Sequence, residues 1–260
     1  LVFTIILWFF GATGKMAWIY CWIALTLFQF FLMFISPVVI LPLFNKFVPI
    51  EDGELKNKLE AYALQENYKL KGVYKIDASK RSTKSNAYFT GLGKYKRIAL
   101  YDTLIARHST DEVVSILAHE IGHYKKKHII KEMILGIFIS GAMFFILSLF
   151  IENRELFDAF KMEQTSIYAS LLFFGFLFTP INLALSVIGN IISRKYEYEA
   201  DAFSAKGGSA SGGGAPEAMI EALKKLTVDN LGNLTPHPAM VFMHYSHPPV
   251  LERIKALRKL

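Results

Sequence analysis

The stretch STDEVVSILAHEIGHYKKKHIIKEMILGIFISGAMFFILSLF, residues 109–150, decides how the chain is read. Ser109-Thr110-Asp111-Glu112 precedes an apolar-periodic run, and Ser109 or Thr110 as N-cap predicts a helix over 111–128. Residues 129–150 then form an apolar stretch long enough to cross a bilayer core of ~30 Å. A polar, capped helix thus runs directly into a membrane span.

Inside that helix, Ala118-His119-Glu120-Ile121-Gly122-His123 contains the pattern H-E-x-x-H. Residues at i and i+4 share a helix face, so both imidazoles can reach one ion. Zinc accepts neutral imidazole nitrogen well and in catalytic sites keeps a position for water. Glu120 is placed to take the proton of that water and later give it to a leaving amine. A third protein ligand is then required. The metzincin pattern fails, because Lys126 stands where it needs glycine and Ile129 where it needs histidine. A thermolysin-type site takes a carboxylate from a later helix. Arg194-Lys195-Tyr196-Glu197-Tyr198-Glu199-Ala200-Asp201 offers one: Glu197 and Asp201 are spaced i, i+4 and share a face, whereas Glu199 is expected to point elsewhere. One of the pair would bind zinc and the other would orient a ligand histidine; spacing does not choose between them.

Outward from this centre, further apolar stretches at 16–41 and 166–192 are long enough to span, and residues 1–10 look like the end of another span. Pro37 and Pro42 are expected to mark the exit of the 16–41 helix, and Trp18, Tyr20 and Trp22 suit an interfacial belt. Residue 1 is Leu inside an apolar run without a charged n-region or a cleavage site, so the sequence is expected to begin part-way along a longer protein rather than at a signal peptide. Hydrophobic residues make up 53% of the 260, and the mean hydropathy is +0.32. The formal net charge of +7 fits an anionic membrane surface better than nucleic acid, for which there is no motif. Cys21 is the only cysteine, which excludes an intrachain disulfide and a cysteine zinc site.

The soluble parts mix helices and strands. Residues 51–68 read as an amphipathic helix, 72–77 and 96–101 as strands, and Asn86–Thr90 as a third strand before a Gly91–Gly93 turn. Residues 193–206 continue a helix out of the last span, GGSASGGGAP (207–216) is a flexible loop or linker, and 216–226 and 248–260 read as helices. The expected organisation is membrane helices at 1–42, a first catalytic part at 43–128, two spans at 129–192, and a second catalytic part at 193–260. The fold class is mainly α: integral membrane helices with a small α+β zincin-like metalloprotease domain. Most Lys and Arg lie in 43–128 and 193–260, which the positive-inside tendency puts on the cytosolic face. Among the other histidines, His128 is five residues past His123 and is not expected to share its face, and His108, His237 and His244 read as surface or interface residues.

H-E-I-G-H at 119–123 with E-Y-E-A-D-A-F at 197–203 resembles the Ste24 group of CAAX prenyl proteases, metallopeptidase family M48. Ser85-Asn86-Ala87-Tyr88-Phe89 with Lys96-Arg97-Ile98, and His244-Tyr245-Ser246-His247-Pro248-Pro249 with Leu251-Glu252-Arg253, are similar to two further segments of that family. The resemblance implies one zinc ion per chain on His119, His123 and Glu197, with Glu120 as general base and Asp201 behind the histidines. It implies that His247 and Arg253 lie near the substrate carbonyl and the Glu197 end of the site, where a donor would stabilise an oxyanion. It implies that the strand holding Asn86, Ala87 and Tyr88 pairs with extended substrate. Seven spans around an internal chamber are typical of the family. The implied activity is C-terminal processing of prenylated CAAX proteins, in a bacterial inner membrane or a eukaryotic ER or inner nuclear membrane. The partners are then a peptide or protein substrate and the bilayer, without nucleic acid. An HtpX-like quality-control protease would use the same chemistry. A non-catalytic zinc-dependent scaffold or transporter is the rival of another class, and Glu120 speaks against it because metal binding alone does not require that residue.

Overall fold

The computed structural model describes residues 8–9, 11–90, 96–151, 153–207 and 216–260. The expected span end at 1–10, the Gly91–Gly93 turn and the interior of the 207–216 segment lie largely or wholly outside the described residues. Two compact units are present, one formed by the chain up to Leu32 with Ile130–Ser186, the other by Met33–Ile129 with Val187–Leu260.

Three helices among the described residues are long and apolar enough to cross a membrane: Ala17–Phe44, His128–Phe150 and Ile167–Lys206. Their length and apolar composition suit a bilayer hydrocarbon core of ~30 Å. The first, α1, is regular over Ala17–Ile35. Its exit falls in the stretch that holds Pro37 and Pro42, as the sequence suggested. A wider π turn at Ser36–Ile40 absorbs that proline, and the helix resumes over Leu41–Phe44. In the first unit, Ala17, Leu147 and Phe174 form a buried seam. The Trp22 indole donates to the Ile137 carbonyl at 2.9 Å. It lies over Gly141, where a Cβ would come within 2.9 Å of the ring. A small residue and one polar contact let two spans approach closely.

The second unit is built on a four-stranded sheet of order β1-β2-β4-β3: β1 Phe47–Pro49, β2 Leu70–Ile76, β3 Ala87–Thr90 and β4 Lys96–Tyr101. β2 and β4 are parallel, and β3 pairs antiparallel with β4, Ala87 opposite Leu100. β3 is therefore an edge strand among the described residues. Helix α2 (Glu54–Gln65) and short α3 (Asp102–Arg107) flank the sheet. Helix α4 (Thr110–Lys125) forms the core with them, burying Val113, Val114, Leu117, Ala118 and Ile121. Its start is a capping box: the Ser109 side chain accepts from Glu112 N–H, and the Glu112 carboxylate accepts from Ser109 N–H. Glu112 also takes Lys225 at 2.8 Å from α8 (Pro216–Asp229), tying the two helices together.

The sequence extended α4 to residue 128. It ends at Lys125, because Lys127 adopts a left-handed conformation (φ 57°), and His128 opens the next helix, α5 (His128–Phe150). Short α6 is Arg154–Ala159. The long helix α7 runs over Ile167–Gly207 without a break, as the continuation at 193–206 predicted. Two short helices follow α8, α9 at Pro238–His244 and α10 at Val250–Leu257.

Candidate metal centre

Helix α4 crosses the polar end of α7 at very short range. A Cβ on Gly122 would lie 3.1 Å from the Phe203 Cβ and 3.2 Å from the Ala200 Cα. Ser204 donates across the same crossing to the Ser115 carbonyl at 2.9 Å. Only small residues allow the backbones this close, and the approach carries a carboxylate of α7 to the histidines of α4.

His119 Nε2 and His123 Nε2 are 3.1 Å apart. Glu197 completes the group, Oε2 at 3.6 Å from His119 and Oε1 at 3.4 Å from His123. Three donors each about 2.1 Å from one tetrahedral centre would be separated by about 3.4 Å. The donor set of two imidazoles and one carboxylate, with these separations, fits a metal ion.

Behind the donors, His119 Nδ1 meets Asp201 Oδ1 at 2.9 Å. Arg253, from α10, donates to Asp201 through Nε at 2.7 Å and Nη2 at 2.6 Å, and its Nη1 reaches Glu197 at 3.2 Å. Burial alone would lower the guanidinium pKa, but the carboxylates of Asp201, Glu197 and Glu120 together raise it. Arg253 is buried. His247 is mostly exposed, its Nε2 3.3 Å from Glu197 Oε1 and its Nδ1 3.0 Å from the Ser246 hydroxyl.

The donors open onto a cavity of about 370 Å³. Glu120 lines it, and burial pushes its carboxyl up from the ordinary value against the pull of His119 and His123. Asn86 and Ala87 line the same cavity, so the edge strand lies along the centre; for Tyr88 only the backbone is described, paired with Ala99. The Asn86 side chain accepts from Ala87 N–H at 2.8 Å. The strand is tethered from behind: the Ser85 hydroxyl donates to Asp229, which Arg107 also holds at 2.7 Å. Leu104, Ile116, Met219, Leu223 and Leu226 make the remaining wall apolar.

Two expectations need correction. His128 does meet His123: their Nδ1 atoms are 3.1 Å apart, because the turn at Lys126–Lys127 reverses the chain and brings residue 128 back. Glu199, as expected, lies off the face that carries Glu197 and Asp201: its Oε2 is 3.2 Å from His128 Nε2. His108 is also buried rather than superficial, its Nδ1 3.2 Å from the Leu104 carbonyl. His237 and His244 are exposed, and His237 caps α9.

Residues 49–260 match Peptidase family M48. The chain belongs to this family. Residues 1–46 match the CAAX prenyl protease N-terminal family, described as five membrane helices. Among M48-related curated proteins, the chain is 37% identical to CAAX prenyl protease 1 of Saccharomyces cerevisiae, over 92% of this chain and 55% of that one. It is 34% identical to the human CAAX prenyl protease 1 homolog, over 100% of this chain and 62% of that one. The crystal structure of S. mikatae Ste24p is similar at TM-score 0.86 and 36% identity, over 98% of this chain and 62% of that chain. The chain thus spans 55% to 62% of the length of these relatives.

Proposed function

We propose that this chain carries the active site of a zinc metalloendopeptidase that processes the C-terminal end of prenylated CAAX proteins. The observation that carries the reading is the meeting of His119, His123 and Glu197: the imidazole Nε2 atoms are 3.1 Å apart, one Glu197 oxygen is 3.6 Å from His119 and the other 3.4 Å from His123, and Glu120 lies on the cavity wall beside them. Zinc bound there supplies Lewis-acid polarisation of the scissile carbonyl and of the attacking water.

The chain's residues do the rest. The Glu120 carboxylate accepts a proton from the water as its oxygen bonds to the carbonyl carbon. It returns that proton to the amine nitrogen as the C–N bond breaks. Its raised proton affinity suits both transfers. His247, exposed at the cavity, is the side-chain donor for the oxygen that gains negative charge. The nitrogens of Arg253 are committed to Asp201 and Glu197, so its role is to position these two carboxylates rather than to touch substrate. Edge strand β3 offers backbone pairing to an extended peptide, with Asn86, Ala87 and Tyr88 nearest the scissile bond.

The membrane helices and the names of the relatives favour CAAX processing over HtpX-like quality control, and Glu120 favours an enzyme over a zinc scaffold. On this reading the catalytic parts, 43–128 and 193–260, face the cytosol from an ER or inner nuclear membrane. The test is Glu120→Gln in the purified protein. Zinc content should remain at one per chain while peptide cleavage falls by at least 100-fold, as measured by metal analysis and a fluorogenic peptide. Cleavage at the wild-type rate would overturn the base assignment.

A further inference from the structure

The two histidines of the centre are backed differently. His119 Nδ1 meets a carboxylate directly, Asp201 at 2.9 Å. His123 Nδ1 meets another imidazole, His128 Nδ1 at 3.1 Å, and His128 Nε2 meets Glu199 Oε2 at 3.2 Å. From these contacts we infer that His128 and Glu199 form a relay that fixes the tautomer and ring plane of His123, and so determine how tightly the centre holds its metal. The inference rests on the reading of His119, His123 and Glu197 as ligands.

The hydrogen-bond directions follow from valence. If His123 Nε2 turns its lone pair to a metal, its proton sits on Nδ1. That N–H then donates to His128 Nδ1, which must be the acceptor nitrogen of a neutral ring. The remaining proton of His128 is on Nε2 and donates to Glu199. The chain Glu199–His128–His123 therefore has one consistent set of protons, ending on a lone pair aimed at the centre. The carboxylate acts through His128 to make His123 a better donor, as a carboxylate directly behind a ligand histidine does.

The geometry is built to hold this arrangement. His128 is 1% exposed, and its ring stacks on Tyr196 at 4.1 Å with an interplanar angle of 7°. The stack sets the ring plane, and the turn with Lys127 at φ 57° sets its place. Tyr196 and Glu199 come from the same polar stretch of α7 as Glu197. One helix segment thus delivers a ligand and, from a different face, the end of the relay.

The experiment measures zinc affinity by chelator competition on the purified protein in lipid nanodiscs, with the visible spectrum of the cobalt-substituted protein as a second readout. His128→Phe keeps the stacked ring but removes the acceptor, and its zinc affinity should fall 10- to 100-fold. His128→Asn restores an acceptor near the Nδ1 position and should recover part of the loss. Glu199→Gln should cost several-fold, and the double variant His128→Phe, Glu199→Gln should bind no worse than His128→Phe alone, because Glu199 acts only through His128. The cobalt spectrum should shift in His128→Phe and return toward wild type in His128→Asn. Wild-type affinity in His128→Phe, within twofold, would overturn the relay. Should that variant misfold by circular dichroism, wild-type affinity in Glu199→Gln would overturn it instead. If the wild-type protein itself binds no zinc, the ligand reading fails and the relay with it; zinc bound equally by wild type and His128→Phe sinks the relay alone.

Discussion

Arg253 presents three nitrogens to two carboxylates, taking Asp201 at 2.7 and 2.6 Å and Glu197 at 3.2 Å. The pair it makes with Asp201 is buried, so removing the guanidinium leaves two carboxylates close together without their cation. Breaking a buried pair from one side costs about 3–5 kcal/mol, more than the packing a Met side chain would restore. Arg253→Met should therefore lower the thermal unfolding midpoint sharply, and Arg253→Lys should lose less, because it keeps the charge without the bidentate fork. Differential scanning calorimetry of both variants checks the order. Spacing did not reveal this pair, since Asp201 lies 52 positions from Arg253; only the family resemblance placed Arg253 at the site. His119, Glu120 and His123 were legible because helical periodicity alone puts them together. His128 was not, since its place depends on one left-handed residue, Lys127, in a run of lysines that carries no turn signal.

At the scale of elements, the approach of α4 to α7 decides whether donors from two helices can meet. Gly122 faces backbone as well as side chain, with the Ala200 Cα 3.2 Å and its carbonyl oxygen 3.3 Å from where a Cβ would sit. A Gly122→Ala change gains about 1 kcal/mol of helix propensity, which masks part of the strain. Gly122→Val gains little propensity and adds two methyl groups at the crossing, so overpacking of about 1–3 kcal/mol prevails. Zinc affinity should fall together with stability, because α7 must retreat and Glu197 moves with it; chemical denaturation and chelator competition on the same preparation read both. The long elements were readable in advance: three spans, α4 with Ser109 as one of two candidate N-caps, and strands β2 and β4 within two residues of their ends. β1, α3, α6 and α9 were not, because three to seven residues are too few for a hydrophobic period to register. β3 was legible as a strand, but its position at the edge beside the cavity is set by sheet order, which no local pattern encodes.

For the whole molecule, the three long apolar helices among the described residues run into the cavity-bearing unit as unbroken chain. On the proposed function, a substrate that also enters the bilayer would meet the centre at a concentration set by the lipid volume rather than by the aqueous phase. Each buried CH₂ of a lipid chain contributes about 0.8 kcal/mol of membrane affinity, enough for one prenyl group to partition reversibly but not permanently. A farnesylated CAAX peptide should therefore be cleaved in liposomes with a kcat/KM at least tenfold above that of the same peptide without the farnesyl group. That preference has two separable sources, partition and direct recognition. Partition predicts that adding empty liposomes dilutes the farnesylated peptide within the lipid and slows its cleavage, while the rate for the unprenylated peptide stays unchanged. Recognition predicts that the preference persists once rates are expressed per peptide in the lipid phase. Equal cleavage of both peptides at every lipid concentration would leave the metal centre and its protease chemistry standing while removing the prenyl group from the substrate's description.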